Sequence, residues 1–141
     1  MTRVDFYVLK GSGDPARNVF ACRLAEKAYR LEHAVHICTD DDNLSRELDS
    51  LLWTFRDGSF VPHEVLPAEQ TSPTAPVTIG TSLPASRKAE LLINLSASVP
   101  QADCPRIAEI VSGDDDSRRQ SRERYARYRE LGHTLETHQL A

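Results

Sequence analysis

The chain has 141 residues, a formal net charge of −4, 40% hydrophobic residues and 27% charged residues. That length suits one domain spanning residues 1–141 with a core of its own, and the composition is that of a soluble globular protein. No apolar run approaches the roughly 20 residues of a bilayer span, and the first residues, Met1-Thr2-Arg3-Val4-Asp5-Phe6-Tyr7, lack the apolar core of a secretory signal.

Residues 4–9 alternate aromatic and aliphatic types and read as a buried strand. Gly11-Ser12-Gly13 breaks it, and Asp14-Pro15 predicts a helix start with Asp14 as the N-cap and Pro15 in the first helical position. The helix over residues 15–31 carries Val19, Phe20, Cys22, Leu24, Ala25, Ala28 and Leu31 at helical intervals. Ala34-Val35-His36-Ile37-Cys38 is a short continuous apolar strand of the kind buried on both faces of a parallel sheet. Asp40-Asp41-Asp42-Asn43 ends it and caps a second helix over residues 44–53, with Leu44, Leu48, Leu51 and Leu52 inward.

Strand, helix, strand, helix predicts an α/β domain with a mostly parallel sheet. After a turn at Arg56-Asp57-Gly58, Pro62 keeps residues 59–65 short or at a sheet edge. Residues 67–76 turn to Pro, Thr, Ser and Glu and predict a surface loop. Val77-Thr78-Ile79, Leu91-Leu92-Ile93-Asn94-Leu95 and residues 106–111 read as strands. A basic helix follows, with Gly132 at its end. The pattern leaves residues 133–141 unassigned.

Few residues offer chemistry. Gly11-Ser12-Gly13-Asp14-Pro15-Ala16 fits the short G-x-G-x-x-A fingerprint of dinucleotide sites, and Asp40 ends the second strand. Against that reading, Asp14 puts a carboxylate where a phosphate would sit, and Pro15 removes a backbone donor. A plain loop before a helix explains the same residues. The histidines (33, 36, 63, 133 and 138) have no metal spacing, and Asp40–Asp42 suit helix capping as well as a divalent ion. Cys22, Cys38 and Cys104 are odd in number and far apart, which predicts buried thiols in a reducing cytoplasm. No acid, base and nucleophile assemble, so neither a catalytic site nor a metal or cofactor is expected. Trp53 and Phe60-Val61-Pro62 form either core or one surface patch fit for a stable partner.

The strongest signal is Ser117-Arg118-Arg119-Gln120-Ser121-Arg122-Glu123-Arg124-Tyr125-Ala126-Arg127-Tyr128-Arg129, after the acidic triplet Asp114-Asp115-Asp116. Helical spacing aligns Arg118, Arg122, Tyr125 and Arg129 on one face. Guanidinium groups around an aromatic ring suit an acidic peptide, a terminal carboxylate or a phosphate. The same run also reads as a solvated amphipathic helix with a tyrosine in the core.

The ordered set of Phe6-Tyr7-Val8-Leu9, Leu52-Trp53, Ser59-Phe60-Val61-Pro62-His63, Leu92-Ile93-Asn94-Leu95, Arg122-Glu123-Arg124-Tyr125, Tyr128-Arg129 and Gly132 resembles the chi subunit family of bacterial DNA polymerase III. The resemblance implies a single-domain, Rossmann-like three-layer α/β fold without a nucleotide site, with helices on both faces of the sheet. It further implies a non-catalytic adaptor in the clamp-loader assembly of the polymerase holoenzyme. Such an adaptor links the small psi subunit to the acidic C-terminal tail of single-stranded-DNA-binding protein (SSB) and meets DNA only indirectly. By similarity, Arg122 would take the tail's carboxylate, Tyr125 and Val111 would wall an apolar pocket, and Arg118 and Arg129 would attract the acidic residues. Trp53, Phe60 and Pro62 would face psi. Two other readings stay open, direct binding of single-stranded DNA by the basic helix and a nucleotide-dependent enzyme using Gly11 and Gly13. The aspartates at 114–116 would compete with an acidic tail unless they point away.

Overall fold

A computed structural model describes residues 2–58, 60–66, 75–83, 88–100 and 104–140. Its elements in chain order are β1 (Arg3–Val8), α1 (Asp14–Arg30), β2 (Val35–Cys38), α2 (Asp42–Thr54), β3 (His63–Val65), β4 (Val77–Gly80), β5 (Leu91–Asn94), β6 (Arg106–Val111), α3 (Asp115–Glu130) and β7 (Thr134–Gln139). The strands form one seven-stranded sheet in the order β3-β4-β2-β5-β6-β1-β7. Every adjacent pair is parallel, so the expected mostly parallel sheet is parallel throughout. Of the loop expected over residues 67–76, positions 67–74 lie outside the described residues, as does Ser59 of the preceding segment.

The strands sort their side chains by parity. Val35, Ile37, Val77, Ile79, Leu91, Ile93, Ala108 and Ile110 face one side and pack with Ala21, Cys22, Ala25 and Ala28 of α1 and Leu48 and Leu52 of α2. Val4, Phe6, Leu92, Ile107 and Val111 face the other side, where Tyr128 of α3 joins them. The result is three layers, with α1 and α2 on one face and α3 on the other. The inner strands β2, β4 and β5 are buried at every position, which is why residues 34–38 and 91–95 read as near-continuous apolar runs. All three cysteines are buried thiols outside any disulfide. No helix of the described residues is long and apolar enough to cross a membrane.

The start of α1 differs from the expected one. Gly13 is the N-cap, with φ at 91°, and Asp14 and Pro15 occupy the first helical turn. Only glycine takes that φ without strain, so the chain turns at Gly13, and Asp14 contributes charge to the helix N-terminus instead of a cap bond. For α2 the cap is Asp41, whose side chain accepts the Leu44 amide at 2.8 Å. Neighbouring Asp40 accepts the amide of Ala97, at 3.0 and 3.1 Å to its two oxygens. The end of α3 follows the expected pattern: Leu131 caps it and Gly132 leaves at φ 83°.

The unassigned C-terminal stretch is an edge strand. Only Leu135 and His138 of its residues are half-buried and the others are exposed, which hides it from a hydrophobicity pattern. What holds β7 is its parallel pairing with β1 and an ion-pair cluster on the α1 side. Asp5, 2% exposed, accepts from His138 Nε2 at 3.0 Å, Arg106 at 2.9 Å and Arg3 at 3.1 Å. Arg3 also reaches Glu136 at 2.9 Å, and the His138 ring stacks on Tyr7 at 5.0 Å. Burial alone would raise the Asp5 carboxyl, but hydrogen bonds from His138, Arg106 and Arg3 outweigh it and hold the group below its ordinary value.

The sign of the pH dependence follows. A carboxyl lowered in the folded state stabilises fully above its unfolded pKa of about 3.9, and that contribution disappears as pH falls through the lower native value. Asp5→Asn should therefore lower the urea midpoint at neutral pH and flatten its decline below about pH 4. Equal acid slopes for the two proteins would show that Asp5 carries no linkage.

Candidate functional site

The basic helix sorts its six arginines into two groups. Arg119 pairs with Asp116 at 3.2 Å, Arg127 with Glu130 at 3.4 Å and Arg124 with Glu109 at 3.0 Å. Arg118, Arg122 and Arg129 are exposed and, among the described residues, have no carboxylate partner.

Arg124 and Glu109 are buried, with side chains 7% and 0% exposed. Glu109 projects from the middle of β6 beneath α3 and receives three donors: Arg124 Nε, Asn94 Nδ2 at 2.7 Å and the Tyr128 hydroxyl at 2.5 Å. Arg124 spends its remaining nitrogens on Ala97 O at 3.2 Å and Ser121 Oγ at 3.2 Å. Asn94 in turn accepts the Ser96 amide and hydroxyl and donates to Ser98 O, so the loop after β5 belongs to the same network. Complete burial raises the Glu109 carboxyl, and its three donors oppose the rise. Burial first, and Glu109 second, push the Tyr128 phenol far up, so it serves as a donor at any ordinary pH.

With Ser121, Arg124 and Tyr128 turned inward, the adjacent stripe of α3 flanks a cavity of about 400 Å³. Arg118, Ser121, Arg122 and Tyr125 form its helical wall; Val111 closes it from β6; Phe6 and Val8 of β1 and Thr137 and Gln139 of β7 form its floor. The Tyr125 ring rests on Phe6 at 5.3 Å between centroids, so it is a fixed wall. The volume lies at the small end of ligand pockets, enough for one large apolar side chain with its backbone. A floor that is apolar on the β1 side, an aromatic wall and two exposed guanidinium groups at the rim are chemistry for an apolar group next to a carboxylate. Of the five residues expected to form a site, Val111, Arg118, Arg122 and Tyr125 line this cavity together. Arg129 lies on the same face of α3, beyond the cavity lining. The contributions of Phe6, Val8, Ser121, Thr137 and Gln139 were not anticipated; Phe6 and Val8 sit in a strand that reads only as core, and β7 gave no signal.

Asp114 and Asp116 of the acidic triplet are engaged elsewhere. Asp114 caps α3, accepting the Ser112 hydroxyl at 2.6 Å and the Ser117 amide at 3.1 Å, which hold its carboxyl below the ordinary value. Asp114 and Asp116 line a separate polar cleft with Asp14, Asp40 and Arg17, not the cavity beside Arg122. That cleft flanks the N-termini of α1 and α3, where a dinucleotide's phosphates would rest in a Rossmann-type fold, and four carboxylates give it the wrong sign. The glycine loop has a structural partner instead. The Gly113 amide donates to Gly11 O at 2.9 Å, and a Cβ on Gly113 would stand 2.8 Å from Lys10 O. The glycine at 113 lets two loops touch backbone to backbone.

Trp53 and Phe60 form a second surface feature, 54% and 63% exposed with ring centroids 5.6 Å apart. Half-buried Pro62 follows them. His63 supports the patch: its ring lies 5.0 Å from Trp53 and bridges Val61 O at 2.7 Å and Asp49 O at 3.1 Å. A third grouping, Asp5, Glu136 and His138, has ligand atoms close enough for a metal. Arg3 and Arg106 already occupy the Asp5 carboxylate, which disfavours a cation there.

Residues 1–136 match the family described as DNA polymerase III chi subunit, HolC. The chain is 40% identical to a DNA polymerase III subunit chi of Pseudomonas aeruginosa over 142 aligned positions, covering 99% of this chain and 98% of that protein. It is 31% identical to the protein of the same name from Haemophilus influenzae, over 94% of this chain and 93% of that one. The Escherichia coli protein of that name is 30% identical, over 97% of each.

The division among the arginines has a thermodynamic consequence. Arg124→Met should destabilise the fold by about 3–5 kcal/mol in urea denaturation, because it leaves Glu109 buried without its cation. Arg119→Met, which removes an exposed pair, should leave stability nearly unchanged. Equal effects would show that Arg124 is an ordinary surface arginine.

Proposed function

Because the chain belongs to the DNA polymerase III chi subunit family, whose members are replication accessory subunits, we propose that it links the polymerase's clamp loader to SSB. In this reading the cavity beside α3 receives the C-terminal tail of SSB. The patch at Trp53, Phe60 and Pro62 takes the psi subunit, the clamp-loader side of the link.

The observation that carries the tail reading is the convergence of Arg118, Arg122, Tyr125 and Val111 on one small cavity. An acidic tail ending in an apolar residue and a free carboxylate matches it part by part. The apolar side chain enters between Tyr125, Phe6 and Val111, Arg122 binds the carboxylate, and Arg118 attracts the preceding acidic residues. Arg129 would act further out, on the approach. Charge of this kind mainly raises the association rate, while desolvated apolar contact sets residence time. So small a contact should be about micromolar and should weaken as salt screens the arginines.

Direct binding of single-stranded DNA by the basic helix fits less well. Stacking platforms need exposed rings. Tyr128 is wholly buried, and Tyr125 is half-buried against Phe6.

For the psi surface, the supporting feature is the exposed pair Trp53 and Phe60, with His63 packed against Trp53, in a segment remote in sequence from α3. Exposed aromatic pairs of this kind anchor stable interfaces.

Two measurements test these assignments separately. A peptide copying an SSB tail should bind, and the same peptide with an amidated C-terminus should bind roughly tenfold to a hundredfold more weakly, the worth of one charge-assisted hydrogen-bond pair. Arg122→Ala should lose the same factor for the free acid and little for the amide, with an unchanged unfolding midpoint. Equal binding of both peptides would overturn the tail reading. Trp53→Ala should weaken psi binding by about thirtyfold or more in calorimetry, as for a central anchor, while leaving the tail peptide's affinity as it was. Unaltered psi binding by that variant would remove the patch from the interface.

A further inference from the structure

The cavity beside α3 opens onto a free sheet edge, and the two features share residues. β7 ends the strand order, so its outer side has no strand partner among the described residues. The Thr134 amide donates to Thr2 O and the Leu140 amide to Val8 O, each at 3.1 Å. Backbone groups alternate along a strand, so residues of that parity turn their N–H and C=O groups toward β1. Leu135, Thr137 and Gln139 therefore turn theirs outward. Their side chains face α3: Leu135 packs against the cluster beneath that helix, and Thr137 and Gln139 floor the cavity. The residues that shape the pocket are thus the ones whose backbone donors and acceptors are open to a new strand. The edge also lacks two common guards, since Thr134–Gln139 contains neither lysine nor proline.

We propose that an acidic peptide C-terminus binds here as an added strand. The residues before its last side chain pair through their backbone with the outer edge of β7 at Thr137 and Gln139, while the last side chain and carboxylate fill the cavity. Charge selects this occupant. A strand added about 4.8 Å beyond β7 turns every second side chain toward the α3 face, where Arg118 and Arg122 have no carboxylate of their own. On its opposite face Glu136 is already neutralised by Arg3. Main-chain bonds then supply affinity that is indifferent to sequence, and alternate acidic side chains with the terminal group supply specificity. The inference rests on the reading of the cavity as the site of an acidic tail, and it adds the backbone geometry of binding.

The test is a backbone scan on the full-length protein. Acidic peptides with a free C-terminal phenylalanine are each N-methylated at one amide, so that side chains and carboxylate stay intact. Strand pairing gives an alternating profile: methylation at every second amide weakens binding by about tenfold, and at the intervening amides by less than about twofold. Hydrogen exchange at the Thr137 and Gln139 amides should slow on addition of the unmodified peptide. A flat profile, with the unmodified peptide still binding, overturns strand pairing and leaves the tail reading standing. No binding by the unmodified peptide, or equal binding by its amide, overturns both. Protection of Thr137 and Gln139 that grows with protein concentration in the absence of peptide would assign the edge to a second copy of the chain and overturn the proposal.

Discussion

One buried carboxylate organises the face of the sheet that carries the cavity. α3 is a poor candidate for hydrophobic docking: of its sixteen residues only Tyr128 is a fully buried large side chain. Burying such a ring is worth about 2–3 kcal/mol, little for a whole helix. Glu109 supplies what apolar area does not, a single polar target that Arg124, Tyr128 and Asn94 satisfy together. Buried ion pairs add little net stability over an apolar replacement, but they discriminate strongly among arrangements, because any other register leaves a charge without its partner. Turning α3 by one residue, about 100°, would bury Arg122, Tyr125 and Arg129 in place of Ser121, Arg124 and Tyr128. The pair therefore decides which arginines meet solvent.

Topology supplies the second half of the cavity. α3 joins β6 to β7, which lie on either side of β1, so the crossover passes above β1. That is why Phe6 sits under both Tyr125 and Tyr128, at 5.3 and 6.0 Å. The helix covers β1 and β6 and leaves the α3 face of β7 partly open, and the gap between helix and edge strand is the cavity. Its floor then depends on β7 staying in place, although that strand buries little apolar surface. The cluster of Asp5 with Arg3, Arg106 and His138 on the opposite side of the sheet performs that task. Two polar networks, one on each face, thus hold the two walls of one site.

The sequence was legible where burial is two-sided and illegible where it is partial. Val35–Cys38 and Leu91–Asn94 are buried at every position, and their apolar runs announce it. The helix starts at Gly13 and Asp41 came from cap chemistry, with an error of one residue where glycine's positive φ outranked an aspartate cap. β7 is held by main-chain pairing and charge, so Thr134–Gln139 has no apolar period to read. Within α3 two neighbouring stripes, Arg118-Arg122-Tyr125-Arg129 and Ser121-Arg124-Tyr128, both contain arginine and tyrosine. Spacing alone cannot tell which faces inward, because the deciding group, Glu109, lies in β6 and looks like a strand residue out of place. An isolated acid in an otherwise apolar strand, fifteen residues before Arg124 of the arginine-rich helix, is the signal that would have separated them.

An acidic protein that is to attract an acidic peptide has to separate its charges in space, and the N-terminal end of α3 shows how. The aspartates at 114–116 precede the arginines by one to two turns, close enough to repel an incoming carboxylate if they faced the same way. The helix N-terminus prevents this. Its unsatisfied amides draw Asp114 into a cap with Ser117 and Ser112, and the macrodipole favours Asp115 and Asp116 in the first turn. Asp116 is paired with Arg119, and with Asp114 it borders the cleft between the N-termini of α1 and α3. The positive end of the helix thereby absorbs the negative residues, and Arg118 and Arg122 keep their charge for the cavity. The same backbone field that would serve a phosphate in a nucleotide-binding fold is spent here on the chain's own carboxylates.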